Sequence, residues 1–259
     1  MSRGTLFKTI FRREFTMMTR YAVNTVSSLA SIYLFFVLIF LGIKSLSSHM
    51  AGDALSGSLE GAIIGFFVWT FTIFAYSDLS WNLIGEAQAG TLEQLYLTPL
   101  GFKWVCAFTV LSTFLLNLIP HMVFLVAMMA TTGRWLNIDL VSLIPLLAIT
   151  VLGAYGFGFA LGGLALIFKR IQALFQIVQF VFMAFLIVPF RVPWAKFLPL
   201  SMGNSLLYDV MVEGSRLWEL PMKNLFIAIA VGTAYLSVGL IIFSRCENIA
   251  KDRGLLGHY

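Results

Sequence analysis

The sequence predicts an all-α membrane protein with six transmembrane helices, and three observations carry that prediction. Of its 259 residues, 59% are hydrophobic and 11% charged, against roughly 25% charged in an average soluble domain. Six apolar runs are each long enough to cross a bilayer core, which takes about 20 helical residues. The runs lack the sustained alternation of barrel strands, which need only about 10 residues per crossing. One membrane domain over 1–259 accounts for the whole length.

In order, the expected spans are Ala22–Ile43, Leu59–Trp81, Val105–Ala130, Val141–Phe168, Ile171–Phe190 and Leu225–Ser244. The first run is too long for a signal-peptide core, and a basic stretch precedes it, so no cleavable signal is expected. With both termini in the cytoplasm, the inner segments hold eleven Lys and Arg residues and the outer ones six. The excess sits at the N-terminus, which usually dominates orientation, so both termini are placed inside. A chain so largely in lipid is a poor partner for nucleic acid. The cysteines Cys106 and Cys246 lie far apart near span ends and read as packing residues, with neither a disulfide nor a metal site expected.

Residues 1–20 contain Leu6, Phe7, Ile10, Phe11 and Phe15 at helical spacing, with Lys8, Arg12 and Arg13 between them. That pattern predicts an amphipathic helix lying in the inner interface, its cations near anionic headgroups. Residues 191–223 form no ordinary polar loop. Pro189, Pro193 and Pro199 interrupt helix near its start, and a short helix fits Asn204–Glu213 with Leu206, Leu207, Val210 and Met211 on one side. The expectation is a set of short re-entrant helices dipping into the outer leaflet.

The segment Gly85–Leu100 is the most informative. Gly90 permits a turn, Thr91 can cap a helix, and Gln94 three residues later completes a capping box. Glu93 in the first turn suits the helix dipole. Thr98-Pro99 ends the helix, since a residue before proline avoids helical geometry. A rigid cytoplasmic knob of about two turns is expected here, presenting Glu93 and Tyr96, with Leu92 and Leu95 packed beneath.

The run Gly90-Thr91-Leu92-Glu93-Gln94-Leu95, followed by Leu97-Thr98-Pro99-Leu100, resembles the signature of permease subunits of type-2 ABC exporters. Six spans, an N-terminal interfacial helix and re-entrant helices between the fifth and sixth spans belong to that family's layout as well. The resemblance implies a permease that pairs with a second copy of itself or a similar permease. It also implies a separate ATPase subunit that carries ATP and Mg, because no G-x-x-x-x-G-K-[ST] phosphate loop occurs here. On this chain it implies no catalytic residue, cofactor or metal. It assigns ATPase coupling to Glu86, Gly90, Thr91, Leu92, Glu93, Gln94, Leu95, Thr98 and Pro99, with Arg12 and Arg13 beside the contact.

Polar residues within the spans are candidates for a translocation path or subunit interface. Gln172, Gln176 and Gln179 share one face of the fifth span, and three amides in lipid need protein or water; interhelical hydrogen bonding is the plainer alternative. Asn24, Ser27 and Ser31 form a stripe on the first span, though membrane serines often bond only their own backbone. Asn117 and His121 share a face of the third span, with His121 read as a packed residue. Gly158 and Gly162 are read as a close helix contact. Asp78 is expected to be hydrated or paired with cations of the N-terminal helix, and Glu60 likewise.

The wealth of Phe and scarcity of charge favour a hydrophobic or amphipathic substrate, such as a drug, lipid or glycolipid. Polysaccharide or peptide export is the alternative within the same family. A different class, a polytopic membrane enzyme such as an intramembrane protease, requires a catalytic pair. Ser56-Gly57 lacks the G-x-S-G turn, and neither H-E-x-x-H nor paired intramembrane aspartates occur. A stand-alone channel or carrier is disfavoured by the missing repeat symmetry and the scarcity of mid-span charge.

Overall fold

The computed structural model describes residues 2–47, 56–98, 100–168, 171–187 and 193–252. They form α1 (Arg3–Arg20), α2 (Ala22–Ser47), α3 (Ser56–Gln88), α4 (Leu92–Tyr96), α5 (Phe102–Thr132), α6 (Leu140–Ile167) and α7 (Gln172–Ile187). A 3-10 turn at Pro193–Phe197 then leads to α8 (Ser201–Met211) and α9 (Met222–Asp252). No strand occurs among the described residues.

Five helices, α2, α3, α5, α6 and α9, are long and apolar enough to cross a membrane. The expected fifth span, Ile171–Phe190, is described as a helix only over the 16 residues of α7. At 1.5 Å per residue that is about 24 Å, short of a hydrocarbon core of about 30 Å. Residues 188–192, where that span was to end, lie outside the described residues. Elsewhere helices outrun the apolar runs. In particular α3 continues through Gln88, so Gly85–Gln88 complete a long helix instead of opening a short one.

Helix α6 is the hub, packed on α9, α3 and α8. Its glycines divide between neighbours. A Cβ on Gly158 would lie 2.9 Å from the Tyr76 carbonyl oxygen of α3, and one on Gly163 would lie 2.9 Å from Phe243 Cα of α9. The close approach at Gly158 lets the Ser80 hydroxyl donate to the Gly158 carbonyl at 3.0 Å. A Cβ on Gly239 would overlap the Gly156 carbonyl, so α6 and α9 cross nearly backbone to backbone.

Helix α8 presents Leu206, Leu207, Val210 and Met211 on one side, as expected, and all four are buried against the bundle. The Asn137 amide donates to the Met211 carbonyl at 2.8 Å, and the Leu217 amide donates to Ser142 Oγ at 3.0 Å. These bonds fasten the 193–221 region to the start of α6. Helix α2, in contrast, is bound loosely. Phe36 is buried, while Val23, Leu34 and Leu38 are exposed, leaving an apolar surface for lipid or another chain to cover.

Candidate functional site

Helix α1 lies across the end of the bundle that carries α4. Leu6 and Ile10 bury against Val105, with Leu95, Leu100 and Phe108 around them. This helical spacing turns the next turn of α1 toward the C-terminal end of α3. Arg13 Nη1 donates to Glu86 Oε1 at 2.9 Å, and Arg13 Nη2 donates to Glu14 Oε1 at 2.8 Å. Arg12, the adjacent cation, is exposed. The two arginines grouped in the sequence therefore differ: Arg13 clamps α1 to α3, and Arg12 faces outward.

Glu86 also fixes the turn that follows. The Thr91 hydroxyl donates to the second carboxylate oxygen of Glu86, and the Thr91 amide donates to the Glu86 carbonyl at 2.9 Å. Thr91 therefore turns back on α3 and does not serve as the hydroxyl of a capping box. The Gln94 amide is held by the Thr91 carbonyl at 3.0 Å. Gly90, with φ +70°, supplies the left-handed residue that reverses the chain between α3 and α4.

Helix α4 has five residues. Leu92 is buried among Leu83, Ala87, Phe102, Cys106 and Phe243, and Leu95 is partly buried, as expected. Tyr96 corrects the expectation. It is not presented outward; its ring stacks on Phe102 with centroids 4.0 Å apart, and Lys251 Nζ of α9 lies 4.8 Å from the ring centre. Lys251 also donates to Glu247 at 2.6 Å. Burial pushes the Tyr96 phenol above its ordinary range, and the nearby Glu247 adds to the shift. The residue that projects is Leu97, 82% exposed, with Gln94 exposed beside it. Thr98 closes the segment through its amide to the Leu95 carbonyl at 3.3 Å. The Glu93 side chain and Pro99 lie outside the described residues.

Three of the polar span residues line clefts, and Gln172, Gln176 and Ser27 do not. Ser31 of α2 and Gln179 of α7 line a shallow apolar cleft of about 360 Å³ with Trp69 and Phe180. Gln172 and Gln176 lie exposed on the same helix. Among the described residues, none of the three glutamine side-chain amides bonds within the chain; the bond at this helix is Trp69 Nε1 donating to the Gln179 carbonyl at 3.2 Å. The Ser31 hydroxyl donates to the Ser27 carbonyl at 2.9 Å, its own backbone, and Ser27 is exposed.

Asn24 belongs to the second cleft, of about 440 Å³, between α1, α2, α3 and α5. Its floor holds Asp78, whose carboxylate accepts from Asn117 Nδ2 at 2.8 Å. Of the two expectations for Asp78, hydration or pairing with α1 cations, the pairing does not form among the described residues, since Arg13 is taken by Glu14 and Glu86; the charged α1 group on this cleft is Glu14. Glu60 pairs with Arg134 at 3.8 Å. His121 is buried beside Phe71 and Phe74, its Nδ1 2.8 Å from the Asn117 carbonyl. Cys106 and Cys246 are free and buried. No group of metal-ligating side chains occurs among the described residues.

Sequence reasoning missed the Asp78–Asn117 pair, although both residues are polar and lie within apolar runs, which was the available signal. Glu14 carried no such signal, because its burial follows from how α1 docks. No protein-family model matches the chain, and neither a curated protein nor a solved structure is similar to it.

Proposed function

We propose that this chain is the membrane-spanning permease subunit of an ATP-driven exporter of the type-2 ABC class. In this reading it crosses the cell's inner (plasma) membrane six times, with both termini cytoplasmic, α1 in the inner interface and the 191–223 segment re-entrant from outside. It pairs with a second copy or a similar permease. A separate ATPase subunit binds ATP and Mg and drives a hydrophobic or amphipathic substrate, such as a drug, lipid or glycolipid, out of the cytoplasm or inner leaflet. The chain itself performs no covalent chemistry.

One observation carries the reading: three elements converge on the short segment that ends in an exposed apolar tip. Arg13 of α1 reaches Glu86, Glu86 holds Thr91, and Lys251 of α9 sits over Tyr96. Leu92 roots the same segment in the bundle while Leu97 projects. A loop of no mechanical role needs no such anchoring. A push on Leu97 would pass into α1, α3 and α9 together. The exposed glutamines of α7 and the uncovered apolar side of α2 support a second permease as neighbour.

Co-purification tests this. The chain, expressed with candidate phosphate-loop ATPases, is expected to form a stable complex with one of them. Replacing residues 90–98 with a Gly/Ser linker is expected to abolish that complex. An intact, active complex carrying the linker would overturn the reading, as would full activity of the chain alone in liposomes.

A further inference from the structure

The cleft between α1, α2, α3 and α5 has a chemistry that its surroundings do not require. Asp78 lies ten residues before the end of α3, about 15 Å along the helix from the α4 end. An acid at that depth is costly when ionised, and a positive partner or water favours that form. Its hydrogen-bond donor is the neutral amide of Asn117. Among the described residues no Lys or Arg lines the cleft or lies within ion-pair distance of Asp78. The other charged group on the lining, Glu14, is also an acid and is paired with Arg13 at 2.8 Å.

The rest of the wall sorts by polarity. Asn24 and Asn82 add amide groups to the lining, and Trp81, Phe74 and Tyr21 add aromatic surface. Aromatic faces attract cations as well as apolar bodies. The volume of about 440 Å³ falls within the usual span of small-molecule sites, roughly 300–1,000 Å³. Trp81 is 45% exposed, so one aromatic wall is open to the outside of the bundle.

We propose that this cleft binds an amphiphilic organic cation, its positive centre against Asp78 and its apolar body against Trp81 and Phe74. A phospholipid headgroup fits less well, because its phosphate would come to rest beside Asp78, and the nearby Arg13 is already taken by Glu14 and Glu86. The proposal rests on the exporter reading for its transport meaning and refines the substrate class to cationic amphiphiles. The binding itself needs no ATPase.

The test is equilibrium binding of radiolabelled tetraphenylphosphonium to the purified full chain in detergent and, in a separate assay, of tetraphenylborate, of like shape and opposite charge. Saturable binding is expected for the phosphonium and not for the borate. Asp78→Asn is expected to weaken it about tenfold or more, the weight of one charge-assisted contact. Trp81→Ala, at a half-exposed position whose ring stacks on Phe175, is expected to leave a folded chain and to weaken binding several-fold. Absence of saturable phosphonium binding, or equal affinity for the borate measured alone, would overturn the proposal. So would unchanged affinity in a folded Asp78→Asn protein or, if that variant does not fold, in Trp81→Ala. Loss of the ATPase complex with phosphonium binding intact would count against the exporter reading alone.

Discussion

Arg13 of α1 and Glu86 of α3 stand 73 residues apart in sequence and 2.9 Å apart in space. Glu86 in turn receives the Thr91 hydroxyl, and Arg13 also neutralises the buried Glu14. An exposed pair would contribute at most about 1 kcal/mol, but here Glu14 is only 8% exposed. Arg13→Ala leaves a buried carboxylate without its donor, so a loss of about 1–3 kcal/mol is expected. Thermal unfolding in detergent measures it. A double-mutant cycle of Arg13→Ala with Glu86→Ala should show a coupling of at least about 0.5 kcal/mol. Strictly additive effects would mean that the contact carries no strength.

Leu97 is expected to behave in the opposite way. Its side chain is 82% exposed and meets little of its own chain. Leu97→Asp should therefore change stability by no more than about 0.5 kcal/mol, as surface substitutions usually do. If the chain is the proposed exporter permease, the same change places a charge on the apolar tip and should release the proposed ATPase subunit in co-purification. A variant that melts with wild type and still holds the ATPase would remove Leu97 from the contact.

These two residues show what was legible in the sequence. The apolar runs declared the helices because lipid demands apolar length, and the face of α8 was readable because Leu206, Leu207, Val210 and Met211 recur at helical spacing. The turn at Gly90 and the burial of Leu92 were legible because turn chemistry is local, whereas the bond of Thr91 to Glu86 was not. The Arg13–Glu86 clamp was not, because it depends on where α1 docks on a helix 73 residues away. The inward turn of Tyr96 was also hidden. A five-residue helix has too few turns to declare a face, and the direction is set by Phe102 and Lys251.

Asp139 supplies a pH-dependent prediction. It caps α6 by accepting from the Val141 amide at 3.2 Å, and the Ser142 hydroxyl donates to it at 2.6 Å. The Ser142 bond is the main reason its carboxyl is held below the ordinary carboxylate value. A depressed value means that the folded chain binds fewer protons than the unfolded one between the two values. The stabilisation is thus fully present above the unfolded value, about pH 3.9, and is lost as pH falls through the folded one. Asp139→Asn keeps a capping oxygen and removes the titration. The wild-type advantage in unfolding midpoint should hold from neutral pH down to about pH 4 and shrink below it. A gap that closes between pH 7 and 5 would assign it to another group.

The crossing of α6 and α9 gives the most severe prediction. A Cβ on Gly239 would overlap the Gly156 carbonyl, a backbone atom that cannot rotate away. The helices would have to separate along the contact that also seats Gly163 against Phe243. Overpacking a core usually costs about 1–3 kcal/mol, and a backbone-to-backbone contact belongs at the upper end because no side chain can yield. Gly239→Ala is therefore expected to lower stability by about 3 kcal/mol or to prevent folding. Gly65→Ala is the internal control, since a Cβ there has nothing within 4 Å. Removing a mid-helix glycine should leave stability unchanged or raise it by about 0.5–1 kcal/mol. Unfolding of the two variants in the same detergent decides the matter. Equal stability of both would show that α6 and α9 do not cross as closely as Gly156 and Gly239 require.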